Sequence, residues 1–161
     1  MVAFLNIDLV WNFPEALNAL SEVIASYVNR EKPDSLLATN PIVGTFGVVP
    51  IASVVASKSR KPLHIWREVK IATEEVLPPL RKGERVLMLH DVCALGKSIS
   101  KAGKKAKEAG CHIDKALTIV DRKVGGEENL REEHIFLDRL FTLEEIIKGC
   151  MSDKTTSAQS E

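Results

Sequence analysis

Cysteine is scarce in this chain and badly placed for pairing. Its 161 residues hold Cys93, Cys111 and Cys150, an odd, scattered set with no CxxC pair. That excludes a disulfide framework of the secreted kind and points to a reducing cytoplasm. His64, His112 and His134 have no ligand spacing with cysteines or acids, which argues against a structural zinc site. Long apolar runs are lacking too. None reaches the ~18 residues of a membrane-spanning helix, so no membrane partner is expected. No basic segment precedes the first apolar residues, so no signal peptide is expected either. Finally, no sign of charge is in excess. Lys+Arg and Asp+Glu are both 22, so no bulk basic field favours nucleic acid.

What is present suits one globular domain. A chain of this length with 45% hydrophobic and 27% charged residues can bury a sizeable core. Phe4 to Val10 reads as a short strand containing Asp8. Pro14 then opens a helix, with Ala16, Leu17, Leu20, Val23, Ile24, Tyr27 and Val28 on one face at spacings of three and four. Ser35 to Thr39 reads as a buried strand, Asn40 to Gly47 as a glycine-containing loop, Pro50 to about Ser57 as a helix, and Leu63 to Trp66 as a strand. Arg67 to Arg85, broken by Pro78, Pro79 and Gly83, reads as an extended loop. After it come an apolar strand, a lysine-rich helix from Ser98 to Ala109 stopped by Gly110, and a strand from Ala116 to Val120. A polar loop, Asp121 to Asn129, leads to a last strand, Ile135 to Leu137. Thr142 and Glu145 form a capping box for a closing helix. The domain is expected to span residues 1–151, with 152–161 a disordered tail. Strands alternating with helices predict an α/β fold with a mainly parallel sheet flanked by helices.

The rest is arranged around Arg85 to Ile99, RVLMLHDVCALGKSI. Val86 to Leu89 form an apolar strand, His90 to Gly96 a short loop, and Lys97 and Ser98 begin a helix. Such a junction holds phosphate well, because the first amides of a helix have no intrahelical partner and carry partial positive charge. Asp91 lies where ligands bind in open α/β sheets, off the carboxyl end of a strand. His90 reads as a strand-end histidine with a satisfied hydrogen bond, and Cys93 as a small buried residue.

This stretch resembles the phosphoribosyl-pyrophosphate (PRPP) motif of the type I phosphoribosyltransferases. That motif has four apolar residues, two acids, two apolar residues, two Thr or Ser, Gly, any residue, then Thr or Ser. Asp91, Val92, Cys93, Gly96 and Ser98 match. His90 stands at the first acid, and Ala94 and Leu95 stand at the hydroxyl residues. Four further segments resemble the orotate phosphoribosyltransferases in the same order: FLNIDL at Phe4, GTFGVVPIA at Gly44, REVK at Arg67 and VDRKVGG at Val120. The resemblance runs from about residue 4 to residue 148. The family's N-terminal helices have no counterpart, so the hood over the base is expected to be short.

The resemblance implies a type I phosphoribosyltransferase fold and a set of roles. Asp91 would hold ribose, and Ala94, Leu95, Gly96, Lys97 and Ser98 the 5′-phosphate of PRPP. Gly44, Thr45, Phe46, Gly47, Arg67 and Lys70 would meet pyrophosphate, with Asp91 and Lys70 the catalytic residues. Arg122 would grip the carboxylate of an orotate-like base, a contact that suits its forked guanidinium. Mg²⁺ would come with PRPP, and the chain would form a homodimer in pyrimidine biosynthesis. Transfer of a phosphoribosyl group depends on orientation and on charge stabilisation of the leaving pyrophosphate. Here Ile71, Ala72 and Thr73 follow Lys70 in place of the family's acid, histidine and glycine, and Trp66 replaces a basic residue. Two functions stay open: transfer of phosphoribosyl to orotate or another nucleobase, and non-catalytic binding of a phosphorylated ribose or nucleotide by a sensor or interaction protein.

Overall fold

A computed structural model describes residues 6–40, 46–69 and 73–157. Helix α1 (Pro14–Glu31) starts on Pro14, whose missing N–H is no loss in a first turn, and stops at Lys32. There the backbone turns left-handed (φ 52°) and the Lys32 N–H closes on Val28 O. The buried face carries Ile24, Ala25, Tyr27 and Val28; Val23 points outward, so the apolar stripe is narrower than its sequence spacing suggests. Next come β1 (Ser35–Asn40), α2 (Val49–Ser59), β2 (Leu63–Val69), β3 (Thr73–Leu77), β4 (Val86–Cys93), α3 (Lys97–Glu108), β5 (Lys115–Asp121), α4 (Gly126–Glu132), β6 (Phe136–Thr142) and α5 (Leu143–Ser157).

The six strands form one sheet in the order β3-β2-β1-β4-β5-β6. All neighbours are parallel except β2 and β3. Alternation along each strand divides the core. Leu36, Ala38, Leu87 and Leu89 join α1 and α2 on one face. Leu37, Met88 and Ala116 join Ile99, Ala102 and Ala106 of α3 on the other. Each fully buried leucine or isoleucine contributes about 1.5–3 kcal/mol. The chain adds β2 and β3 outward from β1, then returns to the middle and adds β5 and β6 outward from β4. The order therefore reverses between β1 and β4. In open α/β sheets, the crevice outside the carboxyl ends of the strands at such a reversal is where ligands bind.

Several expectations need correction. Ile7–Asn12 is a 3₁₀ turn, not part of a strand from Phe4 to Val10; residues 1–5 lie outside the described residues. The Asn6 side chain accepts from Asp8 N at 3.0 Å, a local bond that competes with strand pairing. Arg67 to Arg85 is largely a hairpin. β2 continues to Val69 and β3 returns antiparallel, with Arg67 opposite Glu75, a charge pair that stabilises the register. β4 does not end at Leu89: His90 and Asp91 lie in the strand, which reaches Cys93. The polar segment after Asp121 contains helix α4, whose first turn carries Glu127 and Glu128 as the helix dipole favours and whose Leu130 is fully buried. The Thr142–Glu145 capping box forms as expected, with Thr142 N donating to Glu145 Oε2 at 2.7 Å and Glu145 N to Thr142 Oγ1 at 3.2 Å. The helix it starts is α5, through Ser157.

Candidate functional site

The crevice collects the carboxyl ends of β1, β4 and β5. After β4, Ala94 and Leu95 turn the chain and Gly96 sets the start of α3 with φ +74°, a conformation glycine adopts without strain. No side chain caps α3, and its first internal bond is Ser100 N to Gly96 O at 2.9 Å. The amides of Lys97, Ser98 and Ile99 precede that bond and have no intrahelical acceptor. The side chains of Ala94 and Leu95 supply no hydroxyl, so an anion here meets backbone donors, the Ser98 hydroxyl and the exposed Lys97.

The back of this loop rests on α4. A β-carbon at Gly126 would lie 2.5 Å from Ala94 O and 2.7 Å from Cys93 Sγ, so only glycine permits the contact. Asn129 Nδ2 donates to Leu95 O at 3.0 Å. At the end of β5, Arg122 N donates to Cys93 O at 2.9 Å, tying the residue after β5 to the turn between β4 and α3. The Arg122 side chain is exposed and, among the described residues, makes no ion pair. The fully buried Asp121 accepts from Lys123 N at 2.8 Å. Its other oxygen lies 3.6 Å from Lys123 Nζ and 3.7 Å from Arg139 Nη1.

Asp91 is partly exposed at the end of β4, with His90 buried beside it. Burial holds the His90 imidazole below its ordinary pKa. The Asp91 charge and a Val92 backbone bond oppose that shift without reversing it, so the ring is neutral near pH 7. Hence one acidic charge, not two, faces the crevice from β4. Cys93 is fully buried. Desolvation, with help from the Asp121 charge, pushes its thiol up to about 11, and a Gly96 backbone bond pulls weakly the other way. The thiol is inert, as its reading as a small buried residue implied.

The remaining expected site residues are more dispersed. Gly44, Thr45 and Lys70 lie outside the described residues. Phe46 is 63% exposed and meets Trp11 edge-on at 5.8 Å, while Gly47 (φ +50°) is buried at the turn into α2. Arg67 lies on β2, and its guanidinium pairs with Glu75. Trp66 is fully buried in the core. Sequence reasoning missed the support that Gly126 and Asn129 give the turn between β4 and α3. The adjacent pair Gly125-Gly126 ahead of an acidic helix start was the available signal.

The fold is that of the type I phosphoribosyltransferases. The crystal structure of orotate phosphoribosyltransferase from Aeropyrum pernix matches with a TM-score of 0.79 at 22% identity, covering 91% of this chain and 82% of that one. No family model matches the sequence. The orotate phosphoribosyltransferase of Methanocaldococcus jannaschii is 32% identical over 146 residues, 89% of this chain and 80% of that protein. That of Chlamydia caviae is 32% identical over 160 residues, 92% of this chain and 72% of that protein. The chain belongs to the orotate phosphoribosyltransferase family.

Proposed function

We propose that the chain binds PRPP or a ribonucleotide in the crevice between β1 and β4. The 5′-phosphate rests on the amides of residues 94–98, the ribose hydroxyls on Asp91, and an acidic base such as orotate on Arg122. The observation that carries this reading is the uncapped start of α3 beside a partly exposed Asp91, in a chain of this family. Among the described residues no three His, Cys, Asp or Glu side chains gather as a metal site. A single carboxylate suits Mg²⁺ that arrives on the diphosphate and keeps its own waters, and such an ion would neutralise charge on the leaving pyrophosphate. A homodimer forms part of the same reading.

A specific observation favours weak catalysis. Two of the positions where the family places charge are filled by a buried neutral imidazole, His90, and a core indole, Trp66. Loss of a transition-state donor typically lowers the rate by about 10²–10³. The second reading, a nucleotide-binding sensor or interaction protein, rests on this. Calorimetry with PRPP and Mg²⁺, followed by pyrophosphate release with each nucleobase, tests both readings. Binding is expected, with turnover at least ~100-fold below an ordinary ~10 s⁻¹ enzyme. Turnover near that ordinary value excludes the sensor, and absence of binding excludes both. Arg122→Ala should weaken an acidic base by ~1.5–3 kcal/mol, the scale of a hydrogen bond to a charged group, and leave a neutral base nearly unchanged.

A further inference from the structure

His90 belongs to a row of side chains one step inside the carboxyl edge of the sheet. Trp66 on β2 stands in register with Thr39 on β1, and His90 on β4 with Thr118 on β5. The Ala38–Leu89 pairing carried one residue on sets Thr39 beside His90. Thr39 and Thr118 are fully buried and His90 is 5% exposed. Thr39 Oγ1 is hydrogen-bonded to His90 Nδ1. The hydroxyl has one proton and two acceptors within reach, His90 Nδ1 and Leu89 O at 3.3 Å. With the hydroxyl donating to Nδ1, the one proton of the neutral ring sits on Nε2. Nε2 lies 3.6 Å from Asp91 Oδ1, and the Val92 backbone takes a hydrogen bond from the same ring. Thr118 Oγ1 lies 3.1 Å from both Asp91 O and Val120 O, two acceptors for its one proton.

From core to crevice the order is hydroxyl, imidazole, carboxylate. Where such a chain serves nucleophilic attack, the hydroxyl is at the open end. Here the hydroxyl is sealed in the core and the carboxylate is open, so the chain acts on the carboxylate. We propose that His90 is a positioning residue. Its Nε2–H fixes the plane of the Asp91 carboxylate to receive both hydroxyls of a ribose diol, and Thr39 fixes the tautomer. The inference rests on the proposed role of Asp91. A gap of 3.6 Å exceeds a direct hydrogen bond. Bonds of this kind are commonly long before ligand arrives and tighten around it. A diol needs this control, because two donors on one carboxylate demand a fixed plane, whereas a single donor follows the carboxylate as it turns.

The test is calorimetric binding of ribose 5-phosphate and 2-deoxyribose 5-phosphate to the full chain and to His90→Gln, His90→Asn and Thr39→Val. The Gln amide nitrogen can replace Nε2, while the shorter Asn reaches only toward Nδ1. His90→Gln should hold ribose 5-phosphate within a few-fold. His90→Asn should lose at least ~10-fold, the scale of a charged hydrogen bond, with 2-deoxyribose 5-phosphate unchanged. Equal losses for both sugars, or equal behaviour of Gln and Asn, overturns the positioning role. Failure of the unmodified chain to bind either sugar overturns the Asp91 site itself. Nitrogen-15 NMR of the unmodified chain supplies an arm independent of any variant. The proton is expected on Nε2 of His90, with a resonance that moves in Asp91→Asn, and a proton on Nδ1 refutes the proposal.

Discussion

At the scale of single residues, His90 shows how a substitution at a charged motif position can be absorbed by the core. Its folded-state pKa lies below the ordinary value of 6.5 because burial disfavours the imidazolium. The unfolded chain therefore takes up this proton first as pH falls. The neutral ring's contribution is complete above pH 6.5 and declines as pH drops below it toward the folded value. Urea unfolding between pH 8 and pH 5 should show this acid-side loss in the unmodified chain. His90→Gln, which does not titrate, should be flatter over the same interval. An identical slope in both proteins would place the pH dependence elsewhere. Asp91 was legible as a site candidate because it lies at the carboxyl end of an apolar strand, where ligands bind in open α/β sheets, and matches an acid of the PRPP motif. The role of His90 was not, since Thr39 lies 51 positions away and reaches it through strand pairing.

At the scale of elements, the phosphate turn depends on a helix that the sequence concealed. α4 is only seven residues long, and among the described residues its fully buried large side chain is Leu130, so it gives almost no periodic signal. Gly126→Ala would drive a methyl group into Ala94 O and Cys93 Sγ. The expected result is a loss of about 1–3 kcal/mol of stability, the range for an overpacked contact. Binding of ribose 5-phosphate should weaken beyond what that loss explains, because the displaced atoms belong to the turn itself. Thermal melts and calorimetry on one preparation separate the two effects, and unaltered affinity would show that the turn tolerates displacement. Other elements were plain from the start. Pro14 and the apolar spacing after it mark α1, and the run Val86 to Leu89 marks β4. β3 was hidden because Glu75 looks like a loop residue until Arg67 is set across from it.

At the scale of the whole molecule, the reversal between β1 and β4 puts the crevice in the middle of the sheet, between two cores. The strands that frame it are held on one face by α1 and α2 and on the other by α3. A ligand seated there binds the folded state and not the unfolded chain. At a concentration 100 times its dissociation constant it should add about 2.7 kcal/mol. For a chain of this size that raises the melting temperature by roughly 5–11 °C. Ribose 5-phosphate should produce such a rise and ribose, which lacks the anion, should not. An equal rise with both would remove phosphate from the interaction. Among the described residues no helix is long and apolar enough to cross a membrane.

The bond from Arg122 N to Cys93 O has a thermodynamic consequence. On the proposed function, it joins the residue that meets the base to the turn that meets the phosphate through one backbone bond. Occupancy at one end is then expected to alter the free energy of occupancy at the other. Linkage requires the exchange to be reciprocal: the factor by which phosphate tightens the base is the factor by which the base tightens phosphate. A nucleotide, carrying both groups on one frame, collects that coupling in a single binding event.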